Sequence, residues 1–224
     1  MCGRFAIDAP PDRMWERFRI DTHGEIIRNY NVAPTQIYPV IVSHENERHL
    51  FPKRWGLVPH WSKGVDNRFS MINTRSDALD KPAWRGPIRY RRCIIPASAF
   101  YEWRQTEKGK QPYAIRMQDN DLFGMAGLHD HWEKEGEHID SFSILVTDAN
   151  GTIRGIHDRM PVILKRKDYD RWLDPDIQKI GEVEDLLVPY TANAMHFYPV
   201  SKAVNSPKNN RPDLLDEAVP DPAS

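Results

Sequence analysis

Two cysteines in 224 residues cannot build a disulfide framework, and their scarcity fits a reducing compartment. No run of about 18 apolar residues occurs, so no transmembrane helix is expected. The opening residues, MCGRFAIDAPPDR, lack the apolar stretch of a secretory signal, which leads to an expectation of a cytoplasmic protein, nucleoid-associated if bacterial. A G-x-S-x-G elbow, a P-loop and a dinucleotide-binding glycine pattern are all missing, which argues against the enzymes built on them. Repeats and low-complexity segments are absent too. Net charge is close to zero, at −1, yet it is unevenly divided: residues 1–120 carry +7 and residues 121–224 carry −8. A near-neutral chain divided in this way can carry a basic face that attracts phosphates.

What is present is enough apolar material, seven tryptophans included, for one substantial core. Cys2 to Ala6 reads as a first strand. Pro10 to Ile20 reads as a helix, because two prolines open it where a missing N–H is harmless and Met14, Trp15 and Phe18 form one stripe. Strands are expected over 38–43, 49–57, 92–95, 99–104, 113–117, 122–128, 142–147 and 195–200. Two short helices broken near Pro82 are expected over 74–90, and one more helix over 167–173. The segment HDHWEKEGEHID reads as a solvated hairpin tip. His-x-His on a strand would set two imidazoles on one face, which makes His129, His131, Glu133 and His138 candidate metal ligands, but the polar composition reads as a solvated loop and no metal is expected. Cys93, in an apolar strand, reads as a buried, inert thiol. The sum is an α+β fold: one mixed domain over 1–205, with a curved, antiparallel-rich sheet closing toward a barrel and short flanking helices. Residues 206–224, polar and proline-rich, read as a disordered tail.

The second residue carries the most chemistry. A small residue there normally permits removal of Met1, leaving Cys2 with a free amine and a thiol on adjacent carbons. Their reference pKa values, about 7.7–8.0 and about 8.5, leave each with a modest reactive fraction near neutrality. An aldehyde condenses with the amine to an imine, and the thiol then closes a five-membered thiazolidine in an intramolecular step. The same pair also serves acyl transfer through the thiolate.

Five stretches, in order, decide between these uses: MCGRF at the start, YNVAPT from Tyr30, RWGLVPHW from Arg54, INTRSDAL from Ile72 with RRCIIPASAFYEW from Arg91, and IHDRMPVIL from Ile156. Tyr198-Pro199-Val200-Ser201 and Val204-Asn205 continue the series. Together they resemble the SRAP family, the SOS-response-associated peptidase-like proteins. The resemblance implies a sensor of abasic sites in single-stranded DNA that crosslinks covalently through Cys2. It also implies a barrel-like mixed fold and an autopeptidase step that removes Met1. It implies catalytic roles for Cys2 as nucleophile, Asn73 beside the reacting sugar, Glu102 as acid–base carboxylate and His157 in opening the sugar ring and reversing the crosslink. It further implies DNA contacts by Arg4, Asn31, Pro34, Trp61, Arg75, Thr147 and Arg159. The expected partner is single-stranded DNA containing abasic sites, with no cofactor, no metal, no membrane and a monomeric state. Three residue-level alternatives stand beside this: Glu102 paired with Arg92 or Arg104, Asn73 as a helix cap, and Trp61 in the core. At the level of function, the alternative is an N-terminal-nucleophile amidotransferase, a class that also begins Met-Cys-Gly but usually continues with Ile where this chain has Arg4-Phe5.

Overall fold

The computed structural model describes residues 2–21, 28–65 and 71–219. Removal of Met1 therefore concerns a residue outside those described. The strands are β1 (Phe5–Ile7), β2 (Asn29–Val32), β3 (Ile37–His44), β4 (Glu47–Trp55), β5 (Asn73–Arg75), β6 (Arg92–Ala97), β7 (Ala99–Thr106), β8 (Gly109–Met117), β9 (Phe123–Lys134), β10 (Glu137–Asp148), β11 (Arg159–Pro161), β12 (Ile163–Leu164) and β13 (Met195–Pro199). The helices are α1 (Pro11–Phe18), α2 (Pro82–Arg85), α3 (Pro87–Tyr90) and α4 (Tyr169–Leu173). No described helix is long and apolar enough to cross a membrane.

β3, β4, β10, β9 and β6 pair in turn, and β6 pairs back to β3, so five strands close into a ring. Closure leaves no free edge within that ring. Trp55 stacks on Phe142 at 6.1 Å on one face of these strands, a face that Met125 shares, while Ile41 and Ile94 pair on the other; all five are buried. Gly127 marks the tightest approach, since a Cβ there would lie 2.2 Å from Ile95 Cδ1 and 3.0 Å from the Ser143 carbonyl oxygen. β5 adds to β10 in parallel, and β11 adds to it antiparallel.

The second sheet runs β13-β8-β7-β1-β2. Phe5 joins it to the ring through edge-on contact with Tyr38 at 5.0 Å and a tilted contact with Trp55 at 5.2 Å. Alternation along β7 divides its residues as the sequence pattern predicts. Phe100 belongs to the main core, while Tyr101 packs on the opposite face with Tyr30, Leu214 and Leu215.

α1 forms where the prolines place it, with Pro11 inside its first turn and Met14 and Phe18 buried. Arg19 ends it in the left-handed region (φ 49°) with its N–H on the Trp15 carbonyl.

The helices expected over 74–90 begin later than expected, since Asn73–Arg75 is strand β5 and α2 starts only at Pro82, and the His-rich segment and the tail also depart from expectation. The His-rich segment does close a hairpin, but its tip is only Glu135 and Gly136, at φ 54° and 83°, because β9 and β10 run through the rest of it. Trp132 explains the extension, since it is buried and its indole donates to the Ser62 carbonyl at 2.9 Å. The tail is likewise ordered as far as residue 219. Pro212–Leu215 forms a 3-10 turn that buries Leu214 and Leu215, and Val200 bridges Glu217. Two apolar side chains and a set of backbone bonds suffice to hold a strap whose composition is otherwise polar.

Candidate active site

β1 pairs with β7 through Phe5↔Phe100, and Tyr101 N donates to the Arg4 carbonyl at 3.0 Å. The pairing thus brings the chain start alongside Glu102 and Trp103. Cys2 is fully buried. Its carbonyl accepts from Asn73 Nδ2 at 2.9 Å, and Asn73 Oδ1 is buried without a hydrogen-bond partner among the described residues. Asn73 and Arg75 share one face of β5 because Thr74, between them, points inward to Ser143 at 2.9 Å. The cap reading of Asn73 is set aside by that extended geometry.

Glu102 is 2% exposed. Neither arginine considered for it is its partner. Arg104 donates to the Gly155 carbonyl at 3.0 Å and lies over the Tyr113 ring at 4.7 Å. Arg92 donates to the carbonyls of Trp172 at 2.6 Å and Ile88 at 2.8 Å. Burial therefore raises the Glu102 carboxyl above its ordinary range, with the cationic amino terminus and His157 pulling it back. The Cys2 thiol is raised as well, first by burial and then by the charge of Glu102.

Glu102 and His157 meet in a cavity of about 400 Å³ completed by Trp103, Lys110 and Asn205. His157 Nδ1 accepts from Arg159 N at 3.0 Å and lies 2.9 Å from the Asp158 carboxylate. One nitrogen cannot serve both contacts in a single protonation state. With Nδ1 bare the ring accepts the Arg159 N–H, and with a hydrogen on Nδ1 it donates to Asp158.

The residues expected on the DNA path are placed differently from one another. Arg4 and Asn31 hold the strap. Arg4 Nη1 donates to Asn31 Oδ1 and to the Val204 carbonyl, both at 2.6 Å, and Asn31 Nδ2 donates to the carbonyls of Ser206 and Asn209, both at 2.9 Å. Their polar groups are thus engaged with the chain's own backbone. Arg75 and Arg159 stand on neighbouring elements among acidic side chains: Arg75 pairs with Asp77, and Arg159 lies 4.0 Å from Asp148. Thr147 is buried opposite Met160. Trp61 is 58% exposed, which rules out the core reading. It lines a second cavity of about 410 Å³ with Thr35, Trp55 and Ile72, adjacent in sequence to Pro34 and Asn73. The strap, and with it Asn205, was missed as part of the site. The Leu214-Leu215 pair is the signal that could have marked the strap.

The His-rich segment is strand rather than loop, with His131, Glu133 and His138 exposed. His129 is half-buried, and its loss of water, with Lys53 and Arg91 nearby, lowers its pKa to about 3, so it stays neutral. His131 stacks on His138 at 6.1 Å. Cys93 is buried, and its thiol is pushed up to about 12. Both thiols being shut away, native protein retaining Met1 is expected to resist alkylation at neutral pH and to take up two equivalents of iodoacetamide only when denatured, as counted by intact mass. Rapid native labelling would contradict the burial of Cys2.

Residues 1–207 match the family model described as SOS response associated peptidase. The chain belongs to the SRAP family. Among its curated relatives is the abasic site processing protein YoqW of Bacillus subtilis, 41% identical over 222 residues, with 96% of this chain and 99% of that protein covered. Another is the abasic site processing protein HMCES of Gallus gallus, 34% identical, with 96% of this chain and 77% of that protein covered. A crystal structure of a Bacteroides thetaiotaomicron protein superposes with a TM-score of 0.85 at 30% identity, covering 97% of this chain and all of the other. The SRAP family match ends at residue 207, so Leu214 and Leu215 lie beyond it.

Proposed function

We propose that this protein processes abasic sites in single-stranded DNA by capturing the sugar aldehyde on Cys2 once Met1 is removed. The observation that carries this reading is the meeting of Cys2, Asn73, Glu102 and His157 at the start of β1, beside a cavity large enough for a sugar. The family and its relatives' names support it.

The chemistry balances without a cofactor. The Cys2 amine adds to the aldehyde carbon, and loss of one water gives the imine. The thiol then adds across the C=N bond, sulfur to carbon and proton to nitrogen, closing the thiazolidine. Glu102, buried and raised, takes a proton from the Cys2 ammonium and returns it to the departing hydroxyl. Asn73 fixes the Cys2 carbonyl and offers Oδ1 to the reacting amine or sugar hydroxyl. His157 moves the proton that opens the closed hemiacetal and, in reverse, the one that releases the sugar. The same water balance gives the test. Intact mass of the product from an oligonucleotide with one abasic site should equal protein plus DNA less one water, mapping to the N-terminal peptide. A mass increment on any other peptide would overturn the assignment.

Arg75, Arg159 and Trp61 supply the strand path in this reading. Arg75 is half exposed, so a phosphate can replace Asp77 as its partner. Arg75→Ala should flatten the salt dependence of single-strand binding by about 0.7 log unit. An unchanged slope in a binding titration would remove Arg75 from the path.

A further inference from the structure

The cavity holds one cation that the proposed chemistry leaves unused. Lys110 is exposed on β8 and makes no ion pair among the described residues, although it shares its cavity with Glu102 and His157. Register places it opposite Gln105 and one alternation from Pro112, which lies opposite Trp103. Lys110 and Trp103 therefore lie on the strap-covered face of the sheet, while Glu102 lies on the other. Asn205 reaches the same wall from the strap. Its Oδ1 accepts from Trp103 Nε1 at 2.7 Å, which orients the amide and leaves Nδ2 as its outward donor. The Asn205 backbone is fixed in turn, because its carbonyl accepts from Arg4 Nη2 at 3.1 Å. An ammonium and an oriented amide N–H thus border the cavity beside a tryptophan ring, with the reacting carboxylate on its inner side.

We infer that Lys110 and Asn205 form a phosphodiester subsite that grips the backbone on one side of the abasic sugar, with the strap as its outer wall. This rests on the proposed reading of the site and names residues that bind the strand without joining the bond-making steps. It gives the Arg4 and Asn31 clamp a purpose: holding the strap holds the Asn205 amide in register with Lys110. It also predicts directionality. A subsite on one side of the sugar distinguishes the 5′ phosphate from the 3′ phosphate.

Oligonucleotides carrying a tetrahydrofuran abasic analogue, which cannot crosslink, separate this claim from the capture chemistry. Each would have a neutral methylphosphonate replacing the phosphate on the 5′ side, on the 3′ side, or on neither. Lys110→Ala should weaken binding to the fully charged strand about fivefold and reduce the salt slope by about 0.7. It should cost nothing further on the strand neutralised at the matching side, while remaining costly on the other. Lys110→Arg should restore most of the affinity. Asn205→Asp keeps an acceptor for Trp103 but turns the donor into an anion, so it should weaken binding to the charged strand and lose that penalty on the same neutralised strand. Penalties that persist equally on both neutralised strands, or a Lys110→Ala variant that binds as wild type, would overturn the subsite. If the coupling holds and true abasic DNA still fails to crosslink, the subsite stands and the capture chemistry falls; crosslinking without coupling gives the reverse.

Discussion

Glu102→Gln is expected to slow crosslinking by about 100-fold or more, the usual scale of a lost acid–base group, while binding of a tetrahydrofuran analogue changes little. Gln keeps the shape and a hydrogen-bonding carbonyl but cannot accept the Cys2 ammonium proton. The same substitution carries a stability signature of opposite sign. Burial raises the carboxyl in the folded state, so ionising it is easier in the unfolded chain. Below the unfolded value, about 4.3, both states hold the proton and there is no penalty. As pH rises through the window up to the folded value, the wild type loses stability and then levels off. Glu102→Gln escapes this, so its Tm should gain on that of the wild type as pH rises above about 4 and level off once the folded carboxyl has ionised. A variant equally impaired in binding and crosslinking, and flat against wild type across that range, would make Glu102 a packing residue.

Leu214→Ala should destabilise the protein by about 3 kcal/mol, the middle of the range for a buried leucine. A disordered tail would show no such loss. The effect should extend to the site, because the strap that Leu214 anchors carries Asn205 and is the segment that Arg4 and Asn31 hold. Chemical denaturation measures the first effect, and strand affinity the second. Unchanged stability would mean that the strap contributes nothing to the folded state.

Local pattern made part of this legible. The proline pair and the Met14–Phe18 spacing located α1, alternation split β7 between two faces, and the parity of Asn73 and Arg75 held because β5 is extended. Ring closure was less accessible, since β6 meets β3 and β10 meets β4 in parallel through pairings that alternation alone does not specify. Two of the carbonyls that hold Arg4 lie some 200 residues away, so a phosphate ligand and a backbone clamp look alike in sequence. The hairpin in the His-rich segment was legible but the length of its strands was not, because polar composition outweighed one buried tryptophan. The strap was missed for the same reason, with two leucines set against a polar, proline-rich background. In each case a few long-range contacts decide what composition cannot.

The most direct test mixes a single-stranded oligonucleotide bearing one abasic site with three forms of the protein: processed wild type, Cys2→Ala, and a form retaining Met1. The products are then run on a denaturing gel. A heat-stable shifted band from processed wild type alone is the predicted result, because only that form presents an amine and a thiol on adjacent carbons. A band of equal strength from Cys2→Ala, or none from protein verified to lack Met1, would contradict aldehyde capture at Cys2.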